Sequence, residues 1–329
     1  MVVLHRVEKG CGMKRFRNVL LVAGLGDGPV PGYVFDRALS LARRNEGKLT
    51  LIDVFPTPAL VTKALSRETL EHVLSGRRET LLRLAEAAQE EGVEVETDLV
   101  VGRPFLEITH RVQSFEHDLV MTDGGRDQAA GGLVDSTTMH LMRSCPCAIW
   151  VVRPQLGKRY TRILAAIDPD PTDPRRASLD RKIMELAVSL AKLEASELHV
   201  VHAWTLHAVP VGSSEIWKRW EETARTEVKR RLCKFLAEYT LDSDPQVHLV
   251  GGKPPLAISR LAGEKRIDLL VMGTVCRTGI RGFFIGNTAE GVLRRVDCSL
   301  LTVKPEGFVS PTESPPKTQN APVGPHHRD

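Results

Sequence analysis

Two short glycine-bearing clusters in "MGTVCRTGIRGFFIGNTAE", residues 272–290, have the residue types and spacing to hold an anion. Gly273 follows an apolar, strand-like run from Asp268 to Val271, and a glycine there lets the main chain approach a ligand with no Cβ in the way. Gly286 does the same just before an amphipathic, helix-like run. Asn287 is a good N-cap residue, and Glu290 three positions on completes a capping-box-like pattern. Free N–H groups at such a helix start suit a phosphate, by hydrogen bonding and by the helix dipole. The same residues cap a helix with nothing bound, so the spacing carries the argument. Roughly a dozen residues is long for a strand-to-helix connection, and long loops are usually functional or mobile.

Other candidate groups are fewer. Asp168 ends another strand-like run, and in an open parallel sheet ligands bind beyond the carboxyl ends of strands where the strand order reverses. His199, His202 and His207 cluster around one strand, but alternation puts His199 and His202 on opposite faces, against a shared metal. The six cysteines have no disulfide-framework spacing, Cys145-Pro146-Cys147 being one residue short of a CxxC pair, and they read as buried, reduced thiols. Cys276, beside Arg277, is either an inert loop thiol or a redox-sensitive one. No Gly-x-Ser-x-Gly elbow, Walker A loop or HExxH helix occurs, so no nucleophile and base are nominated.

The elements that must position these residues come as a repeat. "GRPFLEITHRVQSFEHDLVM" from Gly102 and "GKPPLAISRLAGEKRIDLLVM" from Gly252 align with Asp118 against Asp268, an offset of 150. "NVLLVAG" from Asn18 corresponds to "RILAAID" from Arg162, "KLTLIDVF" from Lys48 to "ELHVVHAW" from Glu197, and "RSCPCAIWVVRP" to "RVDCSLLTVKP". Unit one spans about 14 to 154, "QLGKRYT" is the hinge, and unit two spans about 158 to 305. Each unit alternates short apolar runs with longer runs of helical period, which predicts an α/β fold of five parallel strands covered by helices on both faces. In unit two the strands are expected at Ile163 to Asp168, Leu198 to Ala203, Gln246 to Val250, Asp268 to Gly273 and Ser299 to Val303. The run "WKRWEETARTEVKRRLCKFL" reads as an amphipathic helix over the sheet. Residues 306–329, rich in proline and polar groups, read as a disordered tail.

Composition narrows the function classes. With 42% hydrophobic and 26% charged residues the chain is globular, and a net charge of +4 with intermixed signs gives no stripe for nucleic acid. Aromatic residues make up 5%, too few for a base-stacking platform. No apolar run approaches the roughly 20 residues that span a bilayer, and the N-terminus lacks the apolar centre of a secretion signal, so a cytoplasmic location is expected.

The order of strand, Gly273, a fourteen-position span to Gly286, a polar residue, a helix and "SLLTVKP" resembles the universal stress protein family. Nucleotide-binding members of that family show glycine, two residues, glycine, nine residues, glycine and serine or threonine. The duplication is similar to tandem, two-domain members, and "GTVCRTGI…FIGNTAE" looks like the UspE type, over about 14 to 305. The resemblance implies a Rossmann-like, adenine nucleotide α-hydrolase-like fold in each unit, with the two units packed about a pseudo-twofold axis as an internal pseudo-dimer. Their last strands, near Ala148 to Val152 and Ser299 to Val303, would meet at the interface. It also implies a non-catalytic stress-response regulator with an ATP or adenine-nucleotide pocket in unit two, Mg accompanying the nucleotide, and a protein partner or homodimer as its readout.

Carried over position by position, the resemblance places Asp168 near the adenosine and a backbone contact to adenine at Ala203, with Gly273, Cys276, Gly286, Asn287 and Thr288 forming the phosphate loop. Cys276 stands where the family has its second glycine and Asn287 where it has serine or threonine, so a sulfur and an amide replace a bare backbone and a hydroxyl. In unit one Gly24 replaces the aspartate, and Asp135 stands at the position of Gly286, where a carboxylate repels a nucleotide. Unit one is therefore expected to bind no ATP, with Ser136 kept as a helix cap. Two rivals remain open: a slow ATPase or adenylate-handling enzyme, and a binder of an apolar or lipid-like ligand at Phe283, Phe284 and Ile285.

Overall fold

The structure, a computed structural model, describes residues 16–24, 30–56, 66–125, 135–155, 157, 159–169, 173–204, 214–239, 241, 244–274 and 287–312. The first half runs β1 (Asn18–Gly24), α1 (Gly32–Arg44), β2 (Lys48–Pro56), α2 (Arg67–Glu90), β3 (Glu94–Gly102), α3 (Pro104–Phe115), β4 (Leu119–Thr122), α4 (Ser136–Ser144) and β5 (Ala148–Val151). The second half repeats the pattern with β6 (Arg162–Ala166), α5 (Pro174–Glu194), β7 (Glu197–Trp204), α6 (Ser214–Leu236), β8 (Gln246–Gly251), α7 (Pro254–Glu264), β9 (Leu269–Gly273), α8 (Asn287–Leu293) and β10 (Ser299–Val303).

The central strands are apolar on consecutive residues because both of their faces are covered. Alternate side chains divide into two layers. Leu21, Leu51, Ala165 and Val271 pack against α1, α2, α5 and α6, and Leu20, Ile52, Leu164 and Leu270 pack against α3, α4, α7 and α8. The repeat extends to backbone conformation: α3 and α7 are each followed by a left-handed residue, Glu116 at φ 54° and Arg266 at φ 49°. Two residues after each, an aspartate ties the next strand to the first strand of its half. Asp118 accepts from the amide of Arg17 at 2.8 Å, and Asp268 from that of Arg162 at 2.9 Å.

All ten strands form one sheet in the order β3-β2-β1-β4-β5-β10-β9-β6-β7-β8. Pairing is parallel within each half, and the two halves join through antiparallel β5 and β10, with Leu301 opposite Trp150. The last strands thus meet as the resemblance implies, through main-chain hydrogen bonds. The order reverses between β1 and β4 in one half and between β6 and β9 in the other, which makes those two clefts the switch points.

Side chains lock the seam. Tyr160, in the segment read as a hinge, is buried and stacked on Trp150, with the Arg37 guanidinium 4.0 Å above its ring. Arg37 also reaches Glu194 of α5 at 3.0 Å, and Gln155 donates to the Asp268 carbonyl at 3.0 Å. Past β10, residues 306–312 are placed, and Gln113 of α3 donates to the Thr312 carbonyl at 3.4 Å; 313–329 lie outside the described residues. Cysteine burial differs from the expectation. Cys145 is buried and Cys147 and Cys298 are half-buried, but Cys233 is exposed on α6, because the helical period turns it away from its buried neighbour Leu232.

Candidate functional site

Asp168 lies just past the end of β6, and Gly273 ends the neighbouring β9, so the two flank the switch point of the second half. The amide of Asp168 donates to Oδ1 of Asp180, a buried residue of α5, at 3.1 Å, which fixes where the aspartate leaves the sheet. Its side chain remains 39% exposed. Beside it, Nδ1 of buried His202 donates to the carbonyl of Ile167 at 3.1 Å and stands 3.6 Å from the Asp168 carboxylate. A carbonyl only accepts, so Nδ1 carries the proton, and in the neutral ring Nε2 is an acceptor.

Ala203 lies inside β7 rather than after it, opposite Val250. The Ile167 amide donates to the Val201 carbonyl and the Gly252 amide to that of Trp204, so odd-numbered residues of β7 turn their peptide groups toward β6. The peptide groups of Ala203 therefore point to the β6 side, beyond the last residue of that strand. Gly273 has a packing reason of its own: a Cβ there would lie 2.6 Å from Cδ2 of Leu179 on α5. The helix crosses the strand end at a distance only glycine permits. Thr288, in the first turn of α8, is half-buried. Cys276, Gly286 and Phe283 to Ile285 lie outside the described residues, as does the side chain of Asn287. Glu290, the other half of the expected capping box, has its carboxylate 2.9 Å from Arg294 and 3.3 Å from Arg143 of the first half. Those two guanidinium groups hold it below the ordinary glutamate range, Arg294 contributing most.

The equivalent place in the first half is filled by protein. A Cβ on Gly24 would lie 2.4 Å from Oδ1 of Asp53, a buried residue of β2 that the repeat sets opposite His202. Asp53 is bonded to Nη1 of Arg77 on α2 at 2.6 Å, and that guanidinium also covers the Phe55 ring at 5.1 Å. Burial raises the Asp53 carboxyl above the usual aspartate range, with Arg77 opposing. At the helix start, Asp135 rather than Ser136 is the cap of α4, since its carboxylate accepts from the Thr138 amide at 2.6 Å. A helix whose first turn already holds a carboxylate has less to offer an incoming anion. Sequence reasoning missed Asp53 and Arg77, and it weighed His202 only as a metal ligand, not as the neighbour of Asp168. The available signal was that the carboxylate lost at Gly24 recurs one strand over, at Asp53.

His199 and His202 do lie on opposite faces, and His207 is outside the described residues. His199 pairs instead with His248 of β8, Nδ1 to Nε2 at 3.0 Å with ring planes 8° apart. A centroid separation of 5.3 Å is what two nearly coplanar rings joined head to head give, an imidazole-to-imidazole hydrogen bond that needs at least one neutral ring. Burial lowers the pKa of both. A cavity of about 340 Å³, lined by Gln155, Ser259, Arg266, Asp268, Arg295 and Cys298 among others, opens at the amino ends of β9 and β10, away from Asp168. No described helix is long and apolar enough to cross a membrane.

A model of the universal stress protein family matches the chain twice, over residues 15–153 and 159–304. Universal stress protein E of Escherichia coli (strain K12) is 27% identical over 313 residues, which cover 92% of this chain and 98% of that protein. The universal stress protein E homolog of Haemophilus influenzae is 24% identical over 308 residues, 88% of this chain and 98% of that one. Among solved structures, a universal stress protein from Pseudomonas aeruginosa superposes with a TM-score of 0.70 at 26% identity, covering 89% of this chain and 95% of its own. One from Archaeoglobus fulgidus gives 0.61 at 16% identity over 89% and 98%, a likeness of fold. With one family match on each half of a sheet joined through its last strands, the chain belongs to the universal stress protein family, as a tandem member similar to universal stress protein E.

Proposed function

We propose that the protein is a non-catalytic stress-response regulator whose second half holds an adenine nucleotide, with Mg on its phosphates, at the switch point between β6 and β9. One observation carries this reading. The Asp168 carboxylate past the end of β6 is 39% exposed and the peptide groups of Ala203 turn toward the β6 side, whereas in the first half the place of the aspartate is taken by Asp53 and Arg77. A carboxylate there suits ribose hydroxyls, which donate to it, and a peptide edge suits adenine. Phosphate contacts fall to Gly273, Thr288 and the residues between them. Nucleotide would act by favouring one conformation or partner, and no turnover is required.

The test is mass spectrometry of the small molecule released when freshly purified protein is denatured, followed by calorimetric titration with ATP and Mg. Stoichiometric ATP or ADP is expected, with affinity lowered at least about tenfold by Asp168→Ala, as for a lost charge-assisted hydrogen bond. An acyl compound in place of nucleotide, or no heat at millimolar ATP, would overturn the reading. Turnover of labelled ATP that disappears in Asp168→Ala would replace the regulator by an enzyme.

A further inference from the structure

At the seam, the end of α4 and the start of β5 assemble three reactive groups that nucleotide binding does not use. The sulfurs of Cys145 and Cys147 lie 3.5 Å apart across Pro146. Cys145 is buried and Cys147 is half-buried. The third group comes from the other half. Lys304, one residue past β10 and 4% exposed, sends Nζ to the carbonyl of Met142 in the last turn of α4. Its ammonium also sits 4.7 Å from the Phe308 ring centroid. A cation at a helix C-terminus is favoured by the helix dipole, and in these dry surroundings it favours a thiolate on its neighbour.

Electrostatics divide the pair. Burial acts to raise the Cys145 thiol, but the hydrogen bond from Cys147 and the Lys304 charge outweigh it, and the group is held below the ordinary thiol range. Burial, and then the neighbouring Cys145, push Cys147 well above that range, so in the pair Cys145 is the readier to lose its proton. Lys304 itself is brought down to about 8 by burial. The corresponding residues across the pseudo-twofold axis are Val296, Cys298 and Arg153, so Cys298 has no thiol at the position equivalent to Cys145.

We propose that Cys145 and Cys147 are a hydroperoxide-reactive dithiol that cycles between two thiols and one intramolecular disulfide, with Lys304 of the other half positioning the charge. Starting from the Cys145 thiolate, half-buried Cys147, the less enclosed of the two, passes its proton to Cys145 and attacks one peroxide oxygen. The O–O bond breaks, Cys147 becomes a sulfenic acid, and the departing hydroxide takes the proton from Cys145 to leave as water. The Cys145 thiolate then attacks the sulfenic sulfur. The S–O bond breaks as the S–S bond forms, and the second hydroxide takes a proton from solvent. Two electrons pass from the sulfur pair to the peroxide, and a dithiol reductant restores both thiols by exchange. The sulfurs must close by about 1.5 Å to reach disulfide length.

The experiment uses the full chain, reduced, freed of reductant, exposed to hydrogen peroxide, alkylated with N-ethylmaleimide, digested and weighed. The peptide carrying both cysteines is expected lighter by two hydrogens and resistant to alkylation, and dithiothreitol should reverse this. Exposed Cys233 serves in the same sample as a thiol without this neighbour. In Lys304→Gln the disulfide should form roughly tenfold more slowly, since the pair loses the cation that favours its singly deprotonated form, the form from which Cys147 can hand its proton to Cys145. In Cys145→Ser, Cys147 should stop at a sulfenic acid that dimedone traps. Over-oxidation of Cys147 in the natural chain while Cys145 still alkylates would overturn the proposal, as would both thiols staying alkylatable after Cys233 has reacted. An unchanged rate in Lys304→Gln would remove the lysine from the site.

Discussion

The two halves place a carboxylate at nearly the same point, the carboxyl edge between their first and second strands, and reach it from different strands. In the second half Asp168 extends from the end of β6 and remains half-exposed beside His202. In the first half Gly24 leaves room for Asp53 of β2, which turns into the vacated volume and pairs with Arg77. Moving the acid one strand over changes its surroundings from partial exposure beside His202 to contact with a helix, and the carboxylate becomes part of a buried ion pair. Asp135 repeats the lesson at the start of α4, where the chain's own carboxylate takes an amide that a ligand would otherwise meet. The staples at Asp118 and Asp268 accept two main-chain amides in each half, and Asp268 accepts the Thr161 hydroxyl as well.

The sharpest way to break this comparison is Arg77→Met. It should destabilise the chain by about 3–5 kcal/mol near neutral pH in urea unfolding, because it strands a buried carboxylate. The loss has a definite pH dependence. Asp53 already titrates above the ordinary aspartate range, burial outweighing Arg77, so its native state binds protons more tightly than the unfolded chain. Its contribution is full below the ordinary value and declines as pH rises through the raised native one. Removing Arg77 raises that native value further, so the deficit should shrink as the pH is lowered toward about 4. A deficit independent of pH would mean that Arg77 acts through packing on Phe55.

Next is Gly24→Asp, which copies the second half and sets a new side chain against Asp53. A cost of about 1–3 kcal/mol is expected from overpacking alone. The double variant Gly24→Asp with Asp53→His rebuilds the arrangement of Asp168 and His202 and should recover part of it. A double-mutant cycle showing additive effects would separate the two positions and remove the exchange as an explanation.

The shared staples give the control. Asp118→Ala and Asp268→Ala should each cost about 1–3 kcal/mol, since each leaves main-chain amides short of an acceptor, with Asp268→Ala the costlier by no more than the exposed Thr161 hydroxyl bond. A large inequality would show that the halves are stapled differently after all. Smaller still is Glu290→Gln, below about 1 kcal/mol for a partly exposed pair. Glu290 is held below its ordinary range, so its contribution is present above the ordinary value and lost as pH falls through the lowered one, where variant and natural chain should converge. Smallest is Asp168→Ala, expected within about 0.5 kcal/mol on stability while it lowers nucleotide affinity at least about tenfold. A stability loss as large as that of Arg77→Met would make Asp168 structural.

Much of the fold was legible in the order of residues. The spacing that sets Gly102 against Gly252 and Asp118 against Asp268 announced the repeat, and the apolar runs at Asp268 to Gly273 and Ser299 to Val303 fell within a residue of the strands they became. Period and turn chemistry are local, so neighbours in sequence are enough to state them. The site was less legible. Asp168 and Gly273 could be placed at strand ends, but the need for Gly273 to clear Leu179 could not, because that volume belongs to a helix about ninety residues earlier.

The sequence by itself determined two α/β repeats, which of them lost the aspartate after its first strand, and which residues could end each strand. Only the tertiary structure decided that Asp53 and Arg77 refill the first crevice, that Glu290 answers to Arg143 across the seam, that His199 joins His248, and that Lys304 reaches the thiols of the other half. Hydrophobic period is written along a chain, whereas volumes, ion pairs and shared protons depend on which distant side chains the sheet brings within a few ångströms of one another.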